Sequence, residues 1–155
     1  MPAIVRSVLV LFTVALFASA DAHDDVMEVF SKMAAALTGV TGNGESGGAR
    51  SGDVAEFMSG VSKDMPDYDT LKSNVTGLVR DAEVSSSVLA LTEDPQENTY
   101  KIDLDWLLQI RNLEQDGPVV RRREMVHCEL RKEKKHWKII SLKPLDFFAT
   151  PKPGQ

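Results

Sequence analysis

The chain has 155 residues, 43% hydrophobic, 26% charged and 6% aromatic, with 18 basic against 23 acidic side chains and a formal net charge of −5. That composition is globular and excludes a disordered tail, a collagen-like repeat and a multi-pass membrane protein. The length fits one domain better than two, and the acidic balance speaks against a nucleic-acid binder.

Residues 1–20 read MPAIVRSVLVLFTVALFASA, with one positive charge at Arg6, an apolar run from Val8 to Phe17, and the small-residue triplet Ala18-Ser19-Ala20. A cationic start, a short apolar core and an A-x-A site are the three parts of a secretory signal peptide. A membrane span needs about 20 apolar residues, and the run ending at Ala20 falls short of that and contains Thr13 and Ser19. An uncleaved N-terminal anchor is the alternative. The expectation is cleavage after Ala20, export to a periplasm or the exterior, and no stable membrane anchor afterwards. One domain then occupies residues 21–150, with a tail over 151–155.

Cys128 is the single cysteine, so an internal disulfide is excluded. It alternates with Val126 and Leu130 and is therefore expected to be a buried, inert thiol. His23, His127 and His136 are scattered and no CxxC or HExxH spacing exists, so neither a metal site nor a cofactor is expected.

Val26, Phe30, Met33 and Leu37 fall at helical spacing and predict an amphipathic helix from Asp24 to Leu37, with Asp24, Asp25 and Glu28 suited to its positive end. Residues 41–52, TGNGESGGARSG, read as a flexible glycine-rich loop and hold no GxxxxGK[ST] phosphate motif. Asp53 and Glu56 resemble a capping box ahead of a short second helix carrying Val54, Phe57, Met58 and Val61. Pro66 ends it, and Asp67 or Asp69 then caps a third helix with the stripe Leu71, Val75, Leu78 and Val79. Asn74-Val75-Thr76 matches a glycosylation sequon, but Val75 belongs to that stripe and the match is read as chance.

From Glu83 the period falls from 3.6 to 2. A strand is predicted over Val84 to Thr92, a turn over Glu93 to Asn98, and a second strand over Thr99 to Arg111. The second strand puts Tyr100, Ile102, Leu104, Trp106, Leu108 and Ile110 on one face, with Lys101, Asp103, Asp105 and Gln109 on the other. Asp116-Gly117-Pro118 leads into a strand over Val119 to Lys132, and residues 133–136 turn the chain into Trp137 to Leu142. Short turns impose an antiparallel meander, since parallel neighbours need long crossovers. Helices first and strands second make the class α+β, with N-terminal helices packed on a curved antiparallel sheet.

The helix-then-strand order, the helix at Val54 to Val61, and the segments DLDWLLQIRN (103–112), VRRREMVHCELRK (120–132) and HWKIISLKPLDFF (136–148) resemble the nuclear transport factor 2-like superfamily, which includes SnoaL-like and ketosteroid isomerase-like proteins. The resemblance spans Asp24 to Phe148 and is most specific in the last strand. It implies a cystatin-like cone of strands wrapped on helices, with a cavity that relatives use for small-molecule binding or catalysis, or fill as core. It also implies a homodimer through the outer sheet face. The motifs are core and turn features, and none is catalytic.

Strand parity names the residues able to line such a cavity. Val120, Arg122, Glu124, Val126, Cys128 and Leu130 share a face. Arg122 and Glu124 beside Tyr100 and Trp106 are either a ligand-orienting pair, with Glu124 as acid or base, or a solvated ion pair beyond the helices. The candidate pocket is Phe30, Phe57, Tyr100, Trp106, Arg122 and Glu124, and the candidate ligand is small and apolar. Parity sends His127, Arg121, Arg123, Glu129 and Arg131 to the outer face, and splitting Arg121-Arg122-Arg123 between faces removes a basic nucleic-acid patch. The leading reading is a non-enzymatic ligand-binding or protein-interaction module. The alternative is a SnoaL-like or ketosteroid isomerase-like enzyme acting on an apolar carbonyl compound through Glu124 and Arg122.

Overall fold

The computed structural model describes residues 14–38, 52–113 and 118–152, with side chains from Asp21 onward. The start of the expected signal peptide, nearly all of the glycine-rich loop, the Asp116-Gly117 turn and residues 153–155 lie outside the described residues.

Helix α1 spans Val14–Thr38 and so begins well before the predicted start, running unbroken through Ala18-Ser19-Ala20. The apolar leader has no Gly or Pro to stop a helix in this region, so helical backbone continues past the amphipathic stripe. Val26, Phe30, Met33 and Leu37 are all buried, as their spacing requires. Ala22 is the first described side chain to pack against the core. No described helix is long and apolar enough to cross a membrane.

Helix α2 spans Val54–Ser59 and starts at Asp53, whose carboxylate accepts the Glu56 N–H at 3.0 Å. Helix α3 spans Tyr68–Asp81, with Asp67 at its N-cap position but without a side-chain cap bond. Its stripe of Leu71, Val75, Leu78 and Val79 is buried as predicted. Asn74 donates its amide to the Leu145 carbonyl at 3.2 Å, so the sequon asparagine is tied into a helix-to-tail contact with Val75 fully buried beside it.

The strands are β1 (Ala82–Pro95), β2 (Thr99–Asn112), β3 (Val120–Glu133) and β4 (His136–Lys143). They form one antiparallel sheet in the order β1-β2-β3-β4. The first strand runs through Pro95, so the predicted Glu93 to Asn98 turn shrinks to the residues after Pro95. Pro95 sits at the end of an edge strand, where its missing N–H costs no ladder bond. Register shifts at Ala90/Thr92 and Glu129/Leu130 add the bulges that curve a sheet. Beyond β4, Ser62 N–H bonds the Ile139 carbonyl at 2.8 Å and Ile139 N–H bonds the Gly60 carbonyl at 2.9 Å. The chain after α2 thereby anchors the far side of the sheet.

Parity holds along β2: Tyr100, Ile102, Leu104, Trp106, Leu108 and Ile110 are buried, and their neighbours are not. After β4 a cis Lys143–Pro144 bond leads into a 3-10 turn, Leu145–Phe148, that delivers Phe147 and Phe148 to the core. Trp106 lies edge-on to Phe30 at 6.2 Å, to Phe147 at 6.4 Å and to Phe148 at 5.0 Å between ring centroids. Its indole N–H donates to Ser86 Oγ at 2.8 Å, so the largest core side chain carries no unmet polar group. Trp106→Ala is expected to cost about 3–5 kcal/mol in urea unfolding. Asp105→Ala, one residue along on the outer face, is expected to shift the urea midpoint only slightly, and equal shifts for the two variants would contradict this assignment of faces.

Candidate functional site

Of the six candidate pocket residues, Phe30, Phe57, Tyr100 and Trp106 are brought together on the concave side, and all four are core residues with almost no exposed surface. Phe57 packs edge-on to Phe148 at 5.4 Å and Tyr100 to Trp137 at 5.8 Å. With the three contacts of Trp106 these rings occupy the space that a hollow cone would offer a ligand. Three grooves on the described surface, near α1 and α2, between α2 and α3, and along α3, are lined by none of the six.

Arg122 and Glu124 take the parity expected, opposite Leu108 and Trp106 respectively in the β2–β3 ladder. Glu124 is nevertheless exposed, which corrects its expected place inside a pocket. The reason is the length of β4, which pairs with β3 only from His127 to Glu133 and leaves the first half of β3 as an edge. A carboxylate at that edge remains in water.

Arg122 is half-buried but faces the chain itself. Its Nη1 donates to the carbonyls of Phe147 and Ala149, each at 2.7 Å. Desolvation lowers the guanidinium pKa from its high ordinary value, and the nearby Glu124 charge opposes that shift. Arg122 therefore satisfies carbonyls that the end of the 3-10 turn would otherwise leave unpaired. Sequence reasoning saw the face but not the partner, because those carbonyls lie 25 and 27 residues further along the chain.

Among the described residues no carboxylate is buried, and Ser62 is the one polar side chain that is. Ser62 donates to Glu133 Oε2 at 2.8 Å, and Glu133 accepts from Arg131 at 2.5 Å. Arg131 and then Ser62 hold the Glu133 carboxyl below its usual range. A second string, absent from the sequence reading, ties α1 to the sheet: His23 Nδ1 lies 2.6 Å from Glu93 Oε1, and Tyr100 donates to the same oxygen at 2.7 Å. Burial, followed by that carboxylate, pushes the Tyr100 phenol above its ordinary range. Cys128 is buried and its thiol is pushed well up by desolvation, as the inert reading expected.

The outer face carries the charges that parity placed there. Arg123 grips Asp105 with two nitrogens, Nε at 2.8 Å from Oδ1 and Nη2 on Oδ2. His127 Nδ1 lies 2.6 Å from Asp103 Oδ1, and Thr92 donates to the other Asp103 oxygen at 2.6 Å. Asp103 is thus held between a histidine and a threonine. Leu89 and Met125, 63% and 51% exposed, flank Asp105 in one cross-strand row, with half-buried Leu107 in the next.

No protein-family model and no curated protein matches the chain. Among solved structures, a conserved protein from Planctomyces limnophilus superposes with a TM-score of 0.60 at 10% identity, covering 79% of this chain and 92% of its own. A candidate aromatic ring hydroxylase from Novosphingobium aromaticivorans gives 0.56 at 12% identity, covering 83% of this chain and 97% of its own. At such identities the likeness is one of fold, and that fold resembles the nuclear transport factor 2-like α+β cone. Arg122→Ala is expected to speed proteolysis after Phe148 and to lower the thermal midpoint, with Arg122→Lys restoring only part of the loss. Unchanged cleavage in Arg122→Ala would contradict the clamp.

Proposed function

We propose that the chain is an exported member of the nuclear transport factor 2-like superfamily that works as a non-enzymatic interaction module, with its outer sheet face pairing with a second copy. The observation that carries this reading is the filled cone. Interlocked rings occupy the concave side and no described carboxylate is buried there, so the surface, not the interior, is left to do the work. The isomerase-type alternative relies on Glu124 and Arg122. One is exposed at a strand edge and the other is engaged with backbone carbonyls, and both positions work against it.

The outer face supports pairing in three ways. Leu89 and Met125 present apolar surface at either side of Asp105 in one row, the pairing of Asp105 with Arg123 neutralises the charge between them, and the strands are long enough to offer a broad platform. Export is supported by Arg6, the run from Val8 and Ala18-Ser19-Ala20. Sedimentation equilibrium at micromolar concentration is expected to give twice the chain mass, and Met125→Glu to give one chain. A wild-type protein sedimenting as a single chain would remove the pairing. Intact mass from the native host is expected to start at Asp21, and a full-length cytosolic product would remove the export.

A further inference from the structure

Residues 120–126 of β3 form a regular strand with one side unpaired. They pair with β2 without interruption, from Val120 opposite Ile110 to Val126 opposite Leu104. On the other side β4 reaches only as far as His127, where it meets Lys143, and Pro144 has no N–H with which to continue a ladder. Pro118 bounds the segment at its start. Among the described residues, only β2 bonds to the backbone of this segment. The sheet's other edge, β1, is interrupted by the bulge at Ala90/Thr92 and ends in Pro95, devices by which proteins protect an exposed edge. The β3 edge has neither, and its unpaired N–H and C=O groups are a template for another strand.

The side chains along the segment are self-complementary. An antiparallel pairing with a second copy that uses the whole of 120–126 has its two-fold axis at Arg123, and residues equally distant from Arg123 then face each other. On the concave side Val120 meets Val126, and Arg122 meets Glu124, each contact occurring twice. Glu124 is exposed and has no hydrogen-bond or ion-pair partner among the described residues, and Arg122 spends only its Nη1 on the Phe147 and Ala149 carbonyls. On the outer side Arg123 faces its own copy, but each Arg123 is already neutralised by Asp105 on β2. Arg121 faces Met125, which is 51% exposed and can be covered by the aliphatic stem of the arginine. An unrelated acidic strand would set like charges against Glu124, and a basic one would set them against Arg121 and Arg122.

We infer that the open edge of β3 pairs with the same edge of a second copy, in register about Arg123, and joins two four-stranded sheets into one continuous sheet. Opposite charges directly across an antiparallel pair stabilise it and fix its register. This contact is separate from pairing through the outer sheet face, so a chain that makes both links face-paired copies into larger assemblies. A single strand pair buries less surface than a standard interface, and it therefore forms at higher concentration than the face contact.

The test uses Leu89→Glu, which places a charge in the apolar patch of the outer face at an exposed position two strands away from this edge. Sedimentation and backbone amide exchange are followed from about 10 μM to about 1 mM, the range in which a weak complex forms. The expected result is association of Leu89→Glu as concentration rises, with slowed exchange of those amides within 120–126 that do not bond β2. Adding Glu124→Arg sets Arg against Arg122 twice across the axis and is expected to weaken this association by about tenfold. Adding Glu97→Arg instead, the same change of charge in the β1–β2 turn, is expected to leave it unaltered. Wild-type pairing that Leu89→Glu removes at every concentration would overturn the edge contact and leave the face contact standing. Association that Leu89→Glu does not weaken but Glu124→Arg does would support the edge and remove the face. Protection of 120–126 that is independent of concentration would mean that the chain covers its own edge, and equal association of the Glu124→Arg and Glu97→Arg proteins would place the contact elsewhere; either result would overturn the inference.

Discussion

The structure turns on how the concave face of the sheet is filled. Trp106 sits midway along β2 and meets rings from opposite ends of the chain, Phe30 from α1 and Phe147 and Phe148 from the 3-10 turn. Edge-to-face contacts of this kind add to the area buried and fix the relative angle of the rings. The first helix, the central strand and the C-terminal turn therefore share one packing solution. A loss at Trp106 would loosen all three, because interiors packed at crystal-like density do not close a ring-sized gap.

Polar groups hold the margins of that core. Arg122 fixes the C-terminal turn through two carbonyls, the His23–Glu93–Tyr100 string fixes the start of the first helix, and Ser62 with Glu133 fixes the link beside β4. Each leaves its charged group at or near solvent, where it is stabilised without the cost of full desolvation. The interior keeps the hydroxyl and indole pair of Ser86 and Trp106. A catalytic cone needs the reverse arrangement, with an acid or base held inside an apolar space.

Much of this was legible in the sequence. The alternation from Tyr100 to Ile110 specifies which face is buried, and a period-2 pattern of that length admits one register of faces. The stripe of Leu71, Val75, Leu78 and Val79 does the same for α3, and the helix-then-strand order specifies the class. What was not legible is depth along a face. Glu124 has the right parity to be inside, yet its burial depends on where β4 ends, and alternation says nothing about the length of a neighbouring strand. Arg122 has the right parity and partial burial, but its partners are backbone carbonyls, which leave no trace in a residue pattern. Tyr100, Trp106 and the phenylalanines were legible as apolar, whereas the choice between lining a void and filling it depends on Phe147 and Phe148 swinging in after Pro144.

The central claim is that the cone is solid and dry at Trp106. Its most direct test is hydrogen exchange at the Trp106 indole N–H, which is fully buried and bonded to Ser86. A solid core lets that proton exchange only through global unfolding, so its protection should approach the full unfolding free energy and fall in step with urea. Exchange within minutes and insensitive to denaturant would mean that water reaches the indole in the folded protein, and the cone would then be hollow.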